Sequence, residues 1–125
     1  MTITRQSLGR RAEGLVADRL RSQGWRIVAR NVRTRFGEID LIGLDRGVLV
    51  FVEVKAGRTG ARAGPERPAL AVGPAKRRRL RALARAWLAG GGVVPRFREI
   101  RFDVVGLSFD PGGDLVEFDH IRAAF

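Results

Sequence analysis

Residues 37–56 read GEIDLIGLDRGVLVFVEVKA, and the fold turns on them. Two apolar runs, residues 38–44 and 48–56, flank Asp45-Arg46-Gly47, a tight hairpin signal. Both runs are apolar on both faces, as in central strands covered by helices on each side. Side chains alternate along a strand, so Glu53 and Lys55, two apart, project from one face. A two-residue turn at Arg46-Gly47 pairs Asp45 with Val48. That register sets Asp40 opposite Glu53, with Cβ atoms roughly 4.5–5.5 Å apart. A four-residue turn also keeps Asp40 and Glu53 on one face, whereas an unbulged three-residue turn separates them.

Outward from this hairpin the pattern alternates. Leu8, Ala12, Leu15, Val16 and Leu20 recur at helical spacing, with Ser7 as a candidate N-cap and Gly24 as a C-terminal cap. Residues 25–32 read as a strand ended by the turn-like Thr34-Arg35-Phe36-Gly37. Residues 57–73 carry four Gly, two Pro and three Arg without periodicity, which predicts a mobile loop leaving the Lys55 end of its strand. Pro74 can open a helix. Leu80, Leu83, Ala84, Trp87 and Leu88 continue it to about Ala89, and Gly90-Gly91-Gly92 ends it. Residues 97–107 and 115–118 read as closing strands around Asp110-Pro111-Gly112-Gly113. The order is α-β-β-β-α-β-β in one α/β domain spanning residues 1–125, a mixed central sheet flanked by helices.

Composition narrows the function. The chain of 125 residues has the size of a single domain and contains no cysteine, which excludes disulfides and cysteine-ligated zinc. No apolar run approaches the roughly 20 residues of a membrane span, and the N-terminal residues lack the apolar core of a secretory signal. A cytoplasmic location with no membrane partner is the expectation. The formal charge of +11 comes from 24 Lys and Arg against 13 Asp and Glu. It points to a nucleic-acid partner, although the arginine bias (22 Arg, with only Lys55 and Lys76 as lysines) also fits coding composition. His120 is the only histidine, and phosphate-loop, dinucleotide and G-x-S-x-G motifs are absent. The remaining chemistry belongs to carboxylates and lysines.

Asp40, Glu53 and Lys55 supply it. Two carboxylates about 5 Å apart repel by roughly 3 kcal/mol at an effective dielectric near 20. A hard divalent cation offsets that repulsion, and oxygen ligands suit Mg²⁺ or Mn²⁺, with the carbonyl of Val54 as a further candidate ligand. Lys55 would orient or deprotonate the attacking water, or neutralise a phosphate oxygen. The plain alternative is a strand-end salt bridge, Glu53 with Lys55 or Asp40 with an arginine.

Gly37-Glu38-Ile39-Asp40-Leu41-Ile42, Phe51-Val52-Glu53-Val54-Lys55 and Arg101-Phe102-Asp103-Val104, in that order, resemble the YraN family of small bacterial proteins. That family is itself similar to archaeal Holliday-junction resolvases and the PD-(D/E)xK nucleases. The resemblance covers nearly the whole chain, including Asn31 and the ending His120-Ile121-Arg122-Ala123-Ala124-Phe125. It implies a restriction-endonuclease-like core, Asp40 and Glu53 as metal ligands, and Lys55 as the catalytic lysine. It further implies Glu13, on the first helix, as a ligand, and a role for Lys76 toward the active-site phosphate. Solvated or snorkelling side chains are the alternatives for both. Glu38 shares the face of Asp40 and is either a supporting acid or a surface one. The family follows its lysine with threonine and arginine, whereas here Ala56-Gly57 precede Arg58, which shifts or weakens a phosphate contact.

Arg77, Arg78, Arg81 and Arg85 form a basic ridge on the second helix, suited to sequence-independent binding of the phosphate backbone, with Arg58 beyond the lysine. The expectation is a Mg²⁺- or Mn²⁺-dependent nuclease acting on DNA, on branched or structured DNA by the resolvase analogy, and then as a homodimer. The rivals are a non-catalytic nucleic-acid-binding module on a nuclease fold and an adaptor that meets an acidic protein.

Overall fold

The computed structural model describes residues 5–59 and 72–125. It begins with α1 (Arg5–Ser22), followed by the strands β1 (Arg26–Thr34), β2 (Gly37–Asp45) and β3 (Val48–Arg58). The helix α2 (Pro74–Ala89) leads to β4 (Glu99–Phe109) and β5 (Leu115–Ile121). The expected order α-β-β-β-α-β-β is therefore observed. The five strands form one mixed sheet in the order β1-β2-β3-β4-β5. Neighbours are antiparallel except β3 and β4, which run parallel. A parallel pair needs a crossover, and α2 supplies it.

The β2–β3 turn follows the two-residue alternative. Asp45 pairs with Val48 and the register holds to Leu41 with Val52. Arg46 (φ 50°) and Gly47 (φ 83°) both adopt the left-handed conformation of a type I′ turn. β3 then presents an apolar row to each side. Val48, Val50 and Val52 pack against Ala12, Val16 and Leu20 of α1. Leu49 and Phe51 pack against Leu80, Leu83 and Ala84 of α2. Each buried aliphatic side chain contributes about 1.5–3 kcal/mol, so these two layers fix the sheet between its helices. The architecture is a restriction-endonuclease-like α/β core.

Several boundaries differ from those read in the sequence. α1 already includes Ser7, which is therefore not its N-cap. β3 continues through Gly57 and Arg58, paired with Ser108 and Phe109, in place of the predicted start of a loop. The parallel ladder satisfies their backbone groups, which outweighs the low strand preference of glycine. Residues 60–71 of that predicted loop lie outside the described residues. β5 extends past Phe118 to Ile121 because His120 finds a partner inside the protein.

That partner is Asp103, whose side chain is 0% exposed. It accepts hydrogen bonds from Arg101 Nε (2.8 Å) and the backbone N–H of Ala123 (3.0 Å), and pairs with His120 Nε2 (2.8 Å). Burial alone would raise its pKa, but the hydrogen bonds from His120, Arg101 and Ala123 lower it below the usual carboxylate range. Asp103 is thus a clasp joining β4, β5 and the chain end.

Two stability predictions follow from the packing. Asp103→Ala strands Arg101 and His120 without their shared anion and should cost about 3–5 kcal/mol in denaturant unfolding. Gly43→Ala places a Cβ 2.7 Å from the Trp25 ring and should cost about 1–3 kcal/mol, measured in the same way.

Candidate active site

β2 and β3 part company at Asp40. Their ladder ends at Leu41 with Val52, and beyond it Val54 donates its backbone N–H to Asp40 Oδ2 at 2.9 Å. A side chain thus stands where a ladder carbonyl would otherwise accept. On its other side β2 faces Asn31, which has φ 50° in the middle of β1, and the paired residues on either side are Arg30 with Leu41 and Val32 with Ile39. Asparagine tolerates this left-handed conformation better than most residues. The strands open locally, and Asp40 occupies the opening.

Glu53 meets Asp40 there through a side-chain hydrogen bond between the two carboxyls. Glu53 is only 7% exposed. Lys55 Nζ lies 3.3 Å from Glu53 Oε1, as same-face spacing predicts, and Lys76 Nζ arrives from the first turn of α2 at 2.6 Å. Both lysines thus share the same carboxylate oxygen of Glu53. Burial, contact with Lys76 and its positive charge lower the pKa of Lys55. Burial would lower Lys76 as well, but its bond to Glu53 together with the charges of Glu53 and Asp40 raises its pKa. The shorter ion pair is the one made by Lys76.

Glu13 reaches the same opening from α1. One carboxylate oxygen each from Glu13, Glu38 and Asp40 lie within 4.8 Å of one another. Glu13 is half-buried and hydrogen-bonded to Asn31. Its pKa is raised, by burial first and then by the charge of Glu38. Burial, then the charge of Glu53, pushes Asp40 up from 3.8 to about 7. Six side chains from β2, β3, α1 and α2 therefore converge: Glu13, Glu38, Asp40, Glu53, Lys55 and Lys76.

The basic residues are more dispersed. Arg77, Arg78, Arg79, Arg81 and Arg85 are all exposed on α2, including Arg79, which was not singled out in the sequence. Arg77 and Arg81 do not simply face solvent. Their guanidinium groups lie 5.6 and 5.4 Å from the ring of Phe125, which stacks on Phe102. Arg58 ends β3 at the same end of the sheet as Lys55. Asn31 entered the sequence reading only through the resemblance. Its position inside a strand, where asparagine is disfavoured, is the local signal for its role.

The model of the uncharacterised protein family UPF0102 matches residues 12–107 of this chain. The chain belongs to that family. A UPF0102 protein of Anaeromyxobacter dehalogenans is 49% identical over 121 residues, covering 97% of this chain and 85% of the relative. One from Nocardia farcinica is 46% identical over 121 residues, 97% of this chain and 91% of the relative. A third, from Symbiobacterium thermophilum, is 51% identical over 108 residues, with 86% and 87% covered. UPF0102 is the YraN family of the sequence resemblance.

Within this UPF0102 chain the donor set fits a hard divalent cation. Every donor is an oxygen, and Glu13 Oε2 is buried without a hydrogen-bond partner among the described residues. Asp40 links this acid cluster to Glu53. A cation here would offset the burial and mutual repulsion that raise the pKa values of Asp40 and Glu13.

The sign of the resulting pH dependence follows from Asp40. Its folded pKa lies above its ordinary value, so the stability it contributes is present at low pH and lost as pH rises through about 7. Without metal, the UPF0102 chain should lose about 1–3 kcal/mol between pH 5 and 8, and Asp40→Asn should flatten that slope. Added Mg²⁺ or Mn²⁺ should raise the melting temperature more at pH 8 than at pH 5.5, and only while Asp40 is present.

Proposed function

We propose that this chain is a Mg²⁺- or Mn²⁺-dependent deoxyribonuclease that hydrolyses phosphodiester bonds, with branched or structured DNA as its substrate. The observation that carries the proposal is the convergence of Asp40 and Glu53 at the opening between β2 and β3, with both lysines of the chain on Glu53. In a sequence with 22 arginines, both lysines meet at one carboxylate. Lysine can lose its proton when its pKa is lowered, and arginine cannot, so this placement fits proton transfer better than mere ion pairing.

The division of labour is as follows. Asp40 and Glu53, with Glu13 and the carbonyl of Val54, would hold the cation, and Glu38 would support them. The cation supplies positive charge against the charge that develops on the phosphate oxygens. Water adds to phosphorus as the bond to the leaving sugar oxygen breaks, and that oxygen takes a proton from solvent as it departs. Lys55, its pKa lowered, takes the proton from the attacking water. Lys76 keeps its charge and offsets the negative charge around Glu53 and the scissile phosphate. Arg58, Arg78 and Arg85, with Arg77 and Arg81 beside them, bind the phosphate backbone. Symmetric cutting of a four-way junction would require two such sites, hence a homodimer.

Cleavage of linear, flapped and four-way DNA with Mg²⁺ or Mn²⁺ tests this. Asp40→Ala, Glu53→Ala and Lys55→Ala should each slow cleavage by about 100-fold or more. Cleavage unchanged in Asp40→Ala and Glu53→Ala would remove these residues from the chemistry. Tight, steeply salt-dependent binding without cleavage would instead identify a non-catalytic nucleic-acid-binding module. Absence of binding to DNA and RNA would reject both.

A further inference from the structure

Phe36 is 57% exposed and is the one aromatic side chain among the exposed large apolar residues described. It stands at the tip of the β1–β2 hairpin. The tip is braced: Thr34 Oγ1 accepts the Phe36 N–H at 3.1 Å and donates to the Gly37 carbonyl at 2.9 Å. Gly37 (φ 145°) sits against Leu83 of α2, where a Cβ would lie 3.4 Å from Leu83 Cδ1. The backbone behind the ring is therefore anchored to the α2 layer. The guanidinium of Arg35 lies 4.7 Å from the centre of the Phe36 ring, and Arg33 is exposed on the same hairpin.

We propose that Phe36 and Arg35 form a stacking platform for one unpaired nucleobase of the DNA bound at the carboxylate–lysine site. The inference rests on the nuclease reading and specifies its substrate as DNA with a base outside the duplex stack. Three observations carry it. A flat apolar ring with a cation over one face suits a partner that combines a π-face with negative charge, and a nucleotide has both. Phe36 is four residues from Asp40 along β2, about 13 Å at strand spacing, so one nucleic-acid strand can reach both. β3 runs antiparallel to β2, so Lys55 and Arg58 arrive at this same end of the sheet. A base inside an intact duplex already has neighbours on both faces. Only a base at a fork, junction or gap is free to stack on Phe36.

The test measures binding in EDTA, where no cleavage occurs, to a forked duplex with unpaired arms and to a fully paired duplex of equal length. Phe36→Ala should weaken binding to the fork fivefold or more and leave duplex binding within twofold. Phe36→Trp should retain fork binding, and Phe36→Leu, apolar but without a π-face, should lose it as the alanine variant does. Equal losses on both DNAs, no loss on the fork, or full fork binding by the leucine variant would overturn the platform while leaving the carboxylate chemistry standing. Failure of the unsubstituted protein to bind either DNA would overturn both. Sedimentation of the same variants addresses self-association: a dimer dissolved by Phe36→Ala, with fork affinity unchanged, assigns the ring to a second copy and overturns the inference.

Discussion

Where β2 and β3 separate, one hydrogen bond spans the gap, from the Val54 N–H to the Asp40 carboxylate. A backbone donor left buried without a partner would cost about 1–3 kcal/mol, so the strands can open here only because a side chain accepts. The opening is what gives Glu13 from α1 and Glu53 from β3 access to the same space. A continuous ladder would have directed the carboxyls of Asp40 and Glu53 side by side on one face and left Glu13 behind the sheet. The same contact ties fold and chemistry together, since the atom that seals the backbone also belongs to the acid cluster.

The electrostatics around this point are lopsided by design of the sequence. The chain carries a net +11, yet four acids gather in one opening. Lys76 and Lys55 answer Glu53, while Asp40 and Glu13 retain protons more readily than isolated carboxyls do. The surrounding arginines raise the local concentration of anions. Asp103 follows a different rule. It is fully buried, but its anion is matched by Arg101 and His120, so it fastens strands rather than waiting for an outside partner.

Much of this was legible in residues 37–56. Gly47 after Arg46 selects the two-residue turn, and the turn fixes the register that brings Asp40 toward Glu53. Pro74 and Gly90 mark the ends of α2, where the observed helix is Pro74–Ala89 with Gly90 as its C-cap. What escaped the sequence depends on distant partners. Gly57 and Arg58 look like a loop until β4 supplies a ladder, and Asp119-His120 look like a strand end until Asp103 buries beneath them. The meeting of Lys76 with Glu53 joins residues 23 positions apart across a crossover, which no periodicity encodes. Phe36 reads as an ordinary turn neighbour, and only the packing reveals that its ring stays more than half exposed.

The parallel pairing of β3 with β4 also has a consequence for synthesis. β4 begins 41 residues after β3 ends, and between Val48 and Val54 the chain reads VLVFVEV. During translation β1 to β3 emerge first, with one edge of β3 lacking its neighbour. That edge is apolar, rich in β-branched residues and nearly free of charge, the composition most inclined to pair with another nascent chain. It stays open until the whole of α2 and β4 has left the ribosome, at a few to twenty residues per second. The strand that builds the site is thus also an aggregation hazard, and the arginines of α2 emerging behind it act as an electrostatic guard.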